Sequence, residues 1–269
     1  MNINGKNFNI GSRTFIVGIL NVTPDSFSDG GQFYAVDNAV QRAIKMESDG
    51  ADIIEIGGES SRPGFTPVDE KTELERITPV LHALSQVLTV PIAVDTYKAN
   101  VANYALQNGA SIINDIFCFK RDPDMPKVCA AHNAICIIMH NRNNHNYDHF
   151  IPDVIADLDE GIKLLTAAGV PAENIIIDPG VGFAKGLKHN IEVLQNLDQF
   201  AALPYPVMLG ASRKSFIGKT LGLSVDERLE ATIATTVLGI TQGCDFIRVH
   251  DVLENKRAAA MTDEIVRKK

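Results

Sequence analysis

No apolar run in the sequence approaches the roughly 18 residues of a membrane-spanning helix. The stretch from Met1 to Asn9 is polar and has no apolar signal core, so export is not expected and the cytoplasm is. No CxxC pair occurs among Cys118, Cys129, Cys136 and Cys244, and each lies in or beside an apolar segment. That is the pattern of buried free thiols in a reducing compartment. A basic excess is missing too: the formal charge of -8 speaks against a nucleic-acid-binding surface. Two motifs are absent as well. Without GxGxxG after the first apolar run, an open doubly wound dinucleotide fold is disfavoured. Without GxSxG, covalent serine catalysis is not expected.

What is present fits one large domain. The 269 residues are 45% hydrophobic and 22% charged, with no linker or shift in composition, so the whole chain 1–269 is expected to fold as one unit. Eight short β-rich runs alternate with helical patterns. The strand candidates are Phe15 to Leu20, Asp52 to Ile56, Ile92 to Val94, Ser111 to Ile113, Ala134 to Met139, Asn174 to Ile177, Pro206 to Leu209 and Asp245 to Val249. Their nearly continuous apolar character suits strands covered on both faces. Helices are expected over Val36 to Ser48, Val68 to Leu88, Lys98 to Gln107, Asp122 to His132, Asp153 to Ala168, Ile191 to Phe200, Asp226 to Gln242 and Leu253 to Arg267. Eight strands each followed by a helix predict a single (β/α)8 TIM barrel.

Active sites of such barrels lie at the C-terminal ends of the strands. Asp95, Asn114 and Asp178 stand at three of those ends. Carboxylates accept N–H groups and an asparagine both donates and accepts, so the set suits a flat heterocycle with an amidine-like edge, such as a pterin. Lys214, Arg248 and His250 follow the seventh and eighth strands, where barrels commonly bind phosphate. Asn21 and Asp25 offer oxygens to Mg²⁺, which needs only one or two when substrate phosphates complete its shell. Phe27 and Pro63 are candidate apolar walls. Asp115 and Asp251 read as helix caps. The run HNRNNHNYDH from His140 to His149 reads as a surface loop, since no fixed ligand spacing supports a metal cage.

Together these segments resemble dihydropteroate synthase. NVTPDSFSDGG follows the first strand, GADIIEIGGESSRPG surrounds the second and AVDTYKA the third. NDI at 114–116, DPGVGFAK at 178–185, SRKSFIG at 212–218 and RVHDV at 248–252 follow in the family's order over nearly the whole chain. The resemblance implies a transferase that joins 6-hydroxymethyl-7,8-dihydropterin pyrophosphate to p-aminobenzoate, giving 7,8-dihydropteroate and pyrophosphate for folate biosynthesis. Asp95, Asn114, Asp178 and Lys214 would hold the pterin. Arg248, His250 and Asn21 would hold the pyrophosphate, with Mg²⁺ beside Asn21. Phe27, Ser61, Arg62, Pro63, Lys214 and Ser215 would shape the p-aminobenzoate site. Asp95, Asp178, Lys214 and Arg248 would carry catalysis, by an SN1-like departure of pyrophosphate. The family also implies sulfonamide inhibition and a homodimer using the last helices; neither nucleic acid nor membrane is an expected partner. Two positions depart from the pattern: Ser61 replaces a usual threonine, and Ala184 a frequent glycine. A methyltransferase and a non-catalytic pterin-binding paralogue are the rival readings.

Overall fold

A computed structural model describes residues 1–22, 31–59 and 66–267. A hairpin of β1 (Asn2–Ile3) and β2 (Lys6–Asn7) comes first. Eight parallel strands follow: β3 (Phe15–Asn21), β4 (Ile53–Gly57), β5 (Ile92–Asp95), β6 (Ala110–Asp115), β7 (Ile135–Met139), β8 (Ile175–Asp178), β9 (Met208–Leu209) and β10 (Phe246–Val249). Their spatial order is β8-β7-β6-β5-β4-β3-β10-β9, and a parallel bridge between Ile177 and Val207 joins the two edges into a ring. The expected TIM barrel is therefore present.

Ten helices cover the described part of the ring: α1 (Gly31–Ser48), α2 (Glu70–Val87), α3 (Ala99–Gln107), α4 (Met125–Ala131), α5 (Phe150–Ala167), α6 (Leu187–Gln195), α7 (Leu197–Ala201), α8 (Ser215–Leu221), α9 (Leu229–Thr241) and α10 (Val252–Val266). Several of these differ from the sequence reading. The segment expected as one helix over Ile191 to Phe200 is two, divided at Asn196, whose side chain turns back to bond the Glu192 carbonyl at 2.8 Å. Helix α8 was not anticipated. It is seven residues long, too short to show a helical period, and Gly222 ends it in a left-handed conformation. Helix α4 begins at Met125 rather than Asp122, because the Asp122 carboxylate accepts the N–H groups of Ala99 and Asp124 instead.

Strand periodicity sorts the core into two layers. Phe15, Val17, Ile53, Ala93, Ile112, Ile135, Ile137, Ile176, Met208 and Phe246 form one buried cluster with Ile3 and Phe8 of the N-terminal segment. These are the inward positions of the ring. Phe8 and Phe246 flank Phe15, with centroid separations of 4.8 and 5.3 Å, so the hairpin segment closes the N-terminal mouth with apolar rings. The alternate positions, among them Ile16, Leu20, Ile54, Ile56, Val94, Ile113, Ile138 and Ile177, pack outward against the helices. All four cysteines are free and buried.

Helix α5 approaches its strand closely because Gly161 has no side chain. A Cβ there would lie 2.5 Å from both the Cys118 carbonyl oxygen and Ile138 Cδ1. Helix propensity alone would favour Gly161→Ala by about 1 kcal/mol. Overpacking should reverse the sign and destabilise the fold by about 1–3 kcal/mol in urea unfolding. Equal or greater stability of that variant would show that the α5–β7 spacing has slack.

Candidate active site

The inward parity that builds the apolar plug continues to the other mouth of the barrel, where it becomes polar. Counting on by twos from the plug reaches Asn21 on β3, Glu55 on β4, Asp95 on β5, Asn114 on β6, Met139 on β7, Asp178 on β8 and Arg248 on β10. The same count carries past β9 to Gly210 and Ser212, and past β10 to His250. Most of the residues singled out from sequence therefore converge on one face.

Arg248 lies at the centre and is 6% exposed. Its Nη1 is 3.4 Å from Glu55 Oε1 and its Nη2 is 3.6 Å from Asp178 Oδ2. Glu55 Oε2 accepts from the Asn114 amide at 3.2 Å. A side chain at Gly210 would meet the guanidinium at 2.8 Å, so that glycine provides the space in which Arg248 lies. Among the described residues, Asn114 Oδ1 and Asp178 Oδ2 are buried with no hydrogen-bond partner. Two acceptors left unsatisfied by the protein cost free energy and suit a ligand that brings N–H donors. Asp178 Oδ1 is already committed to the Gly180 N–H at 2.8 Å. Beside these groups, Ile116, Met139 and Phe183 form a small apolar cluster with Tyr97 and Phe117, the lining a flat ring requires.

The charges perturb one another. Loss of water pushes the Asp95 carboxyl well above its usual range, and the neighbouring Glu55 charge pushes it further. Burial raises Glu55 as well, against the pull of Arg248. Burial lowers Lys214 to about 7, with Arg248 as the next cause. The Lys214 stem is part-exposed, but its ammonium donates to the Val181 carbonyl and sits 4.7 Å from the centre of the Phe183 ring. Arg248 is held firmly in its charged form, since the attraction of Glu55 and Asp178 outweighs its burial.

On the remaining side, Ser212 Oγ lies 2.9 Å from His250 Nδ1 and accepts the His250 backbone N–H at 3.2 Å. The hydroxyl fixes the imidazole and is itself buried, an arrangement for orienting a histidine rather than for attacking a substrate. Ser215 is the exposed first residue of α8. Asp25, Phe27, Ser61, Arg62 and Pro63 lie outside the described residues.

Three expectations are corrected. Asp115 caps no helix: its Oδ1 accepts the Phe117 N–H at 2.6 Å inside its own loop, and α4 starts only at Met125. Asp251 does occupy the N-cap position of α10, but its carboxylate makes no cap bond and instead accepts from Arg213 Nε at 2.9 Å and Nη2 at 2.6 Å. His140 does not belong to a surface loop. It is fully buried and bonded to Asp157 and Lys185, while residues 143–146 are exposed. Sequence reasoning also missed Glu55, although its parity with Ile53, two residues before it on an otherwise apolar strand, was a usable signal.

The geometry defines a class first: a barrel whose polar mouth receives a flat nitrogen heterocycle beside an anion. A family model described as pterin binding enzyme matches residues 17–250. The dihydropteroate synthase of Clostridium beijerinckii is 53% identical over 269 residues, covering 100% of both chains. A crystal structure of dihydropteroate synthase from Clostridium difficile in the presence of pteroic acid superposes with a TM-score of 0.95 at 50% identity, covering 97% of this chain and 100% of that one. The Yersinia pestis enzyme in complex with a sulfonamide drug superposes with a TM-score of 0.92 at 36% identity, covering 98% of each chain. The chain belongs to the dihydropteroate synthase family.

If the Glu55 charge helps to hold Asp95 protonated, Glu55→Gln should lower the Asp95 ionisation midpoint. Carbon-detected NMR titration of the Asp95 carboxyl checks this. An unchanged midpoint would assign the whole shift to burial.

Proposed function

We infer that this chain, a transferase, condenses 6-hydroxymethyl-7,8-dihydropterin pyrophosphate with p-aminobenzoate, yielding 7,8-dihydropteroate and pyrophosphate for folate biosynthesis. The observation that carries the reading is the buried polar layer itself. Asn114 and Asp178 hold unsatisfied acceptors toward the mouth of a ring that is otherwise apolar. Asp95, Asn114, Asp178 and Lys214 are assigned to the pterin, and Arg248 and His250 to the pyrophosphate. Ser215 and Lys214, with Phe27, Ser61, Arg62 and Pro63 of the first two loops, are assigned to p-aminobenzoate. The pteroic acid of the Clostridium difficile structure and the sulfonamide of the Yersinia pestis one support a pocket that takes both halves of the product and its mimics.

The chemistry follows from the charges. As the C–O bond to pyrophosphate breaks, negative charge grows on the leaving group and positive charge on the pterin methylene. Arg248 and His250 face the first. Asp95 and Asp178, when ionised, favour the second in a site with little water to screen them. A developing cation also favours the ionised form of Asp95, opposing the shift that burial imposes. The arylamine is an adequate nucleophile without a strong base, and it loses its proton once the C–N bond has formed. The path is SN1-like.

Magnesium fits the described residues of this site as an ion that arrives with the substrate. Asn21 ends β3, the strand next to the one that carries Arg248. No group of three His, Cys, Asp or Glu side chains among the described residues is arranged to hold a metal. A single neutral oxygen suits a hard cation that arrives on substrate phosphates rather than a resident ion. Asn21 would hold that Mg²⁺, which would neutralise the departing pyrophosphate.

Purified protein given the pterin pyrophosphate, Mg²⁺ and p-aminobenzoate should release pyrophosphate and form dihydropteroate. Asp95→Asn should lower kcat/KM by about a hundredfold or more while leaving the fold intact. Near-normal turnover in that variant would remove Asp95 from the mechanism. Binding of the pterin with no release by the parent would favour a non-catalytic paralogue.

The chain is also assigned a homodimeric state through its last helices, and the cytoplasm as its compartment. Leu238 on α9 and Met261, Ile265 and Val266 on α10 are exposed large apolar side chains on two helices packed together. Ile265→Lys should convert a dimer to a monomer in light scattering coupled to size exclusion. A parent that is monomeric at micromolar concentration would overturn the assignment.

A further inference from the structure

The loop that follows β8 carries three features of the site and has no regular structure of its own. Its Gly180 N–H holds Asp178 Oδ1 at 2.8 Å, its Val181 carbonyl receives the Lys214 ammonium, and its Phe183 ring lies beneath that ammonium. Three of its residues are left-handed: Gly180 at φ +70, Gly182 at φ +89 and Ala184 at φ +47. For alanine that conformation costs about 1–2 kcal/mol. A path this unfavourable needs an external hold.

Lys185 supplies it. The side chain is buried, and its ammonium makes three bonds: to the Gly180 carbonyl at 3.1 Å, the Phe183 carbonyl at 3.1 Å and His140 Nδ1 at 2.7 Å. An ammonium has three protons, so this one is fully used within the protein and has none left for a substrate. Because Lys185 donates to Nδ1, the His140 proton sits on Nε2, which donates to Asp157 Oδ2 at 3.0 Å. Arg142 donates to the same carboxylate oxygen. The Tyr147 hydroxyl adds a bond to the Ala184 carbonyl at 2.8 Å. The Gly180 backbone fits directly on His140, where a Cβ would fall 2.0 Å from the His140 carbonyl oxygen. His140, Arg142 and Tyr147 come from the Asn/His-rich segment after β7, and Asp157 from α5.

We propose that Lys185, braced by His140 and Asp157, is a positioning residue that sets the pterin end of the site by clamping the 179–185 loop. The proposal rests on the synthase reading and adds to it residues that touch no reacting atom. Energetics favour a working role over simple packing. Burial lowers Lys185 to about 7, a sign that an apolar side chain would sit there at less cost. Only a group with three directed donors, however, can span two loop carbonyls and an imidazole. The asymmetry of the clamp makes the prediction specific. It reaches Asp178, assigned to the pterin alone, and the acceptor of Lys214, which both substrates share, whereas among the described residues Ser215 receives no bond from it.

The test is steady-state kinetics on Lys185→Met, His140→Leu and Asp157→Asn, each varied in both substrates. Lys185→Met should raise KM for the pterin pyrophosphate by about tenfold or more and leave KM for p-aminobenzoate within about twofold. His140→Leu should act in the same direction less strongly, and Asp157→Asn least. A merely structural lysine would lower Tm and the amount of active enzyme but spare both KM values, and that result overturns the clamp. Equal rises in both KM values would also overturn it. If Lys185→Met fails to fold, Asp157→Asn decides the matter, because its carboxylate is part-exposed at the outer end of the chain; an unchanged pterin KM there refutes the proposal. A parent enzyme with no turnover would instead sink the synthase reading, and the clamp with it, whereas an active parent beside unaffected variants sinks the clamp alone.

Discussion

The site depends on one buried guanidinium. Arg248 bridges Glu55 and Asp178 inside a ring of apolar side chains, so it is paid for in desolvation and must be paired. Its pairing is incomplete by design of the charge count. Glu55, Asp95 and Asp178 face Arg248 and Lys214 in the same layer, three carboxyls against two cations. Burial, and after it the Glu55 charge, raises Asp95, while burial next to Arg248 lowers Lys214. A carboxyl with a raised folded pKa makes the folded state less stable as pH climbs from the usual aspartate value through the raised one. The site therefore holds unfavourable electrostatics that a cationic pterin intermediate and an anionic leaving group would relieve from opposite sides.

Barrel geometry makes that concentration of charge possible. Because strand side chains alternate, the inward set belongs to one parity on every strand, and because all eight strands are parallel, their C-terminal ends gather at one mouth. The lower turns of this set are Phe, Val, Ile and Met, sealed by Ile3 and Phe8 from the hairpin segment. The upper turns are Glu, Asp, Asn and Arg. An apolar floor keeps water out from below, which strengthens each interaction above it. Gly210 and Gly161 serve the same end in different places: one leaves room for the Arg248 guanidinium, the other lets α5 close against β7.

The ring and most of the mouth could be read from the sequence because both rest on local patterns. Apolar runs of strand length marked the ring, and polar residues just beyond them marked the mouth. What escaped depended on tertiary partners. The hairpin consists of two-residue strands, too short for any period, and it is held by tertiary contacts, with Ile3 and the adjoining Phe8 buried against the inward cluster of the ring. Glu55 sits within a strand, and attention to strand ends passed over it. Downstream helices give Asp115 and Asp251 the sequence signature of caps. Asp115 is consumed by its own turn, and Asp251 by Arg213 across 38 residues of sequence. In sequence His140 belongs with the polar residues after it, yet it continues the path of β7, its backbone N–H donating to the Asp178 carbonyl on β8 at 2.9 Å. Ala184 shows the converse. A frequent glycine of the family lies where the chain is left-handed, and the reason is visible only in the backbone angle.

Two buried ion clusters brace the mouth from outside, one on each side of the ring. Lys185, His140 and Asp157 hold the loop after β8. Across the ring, Lys98 donates to Glu59 Oε2 at 2.7 Å and also to Glu73, while Tyr97 donates to Glu59 Oε1 at 2.9 Å. Glu59 Oε2 also accepts the Val68 N–H at 2.9 Å, so one carboxylate ties residue 59 to residue 68. Burial raises Glu73, whereas its two carboxylate partners hold Lys98 in the charged form despite the loss of water. Neither cluster would be chosen to maximise stability, since buried ion pairs of this kind are matched or exceeded by apolar packing. Their value is directional. Each lysine fixes irregular backbone that no strand or helix supports, and each does so one step removed from the residues assigned to substrate. The reacting groups can then differ in charge and protonation through the reaction while the backbone that carries them stays in place.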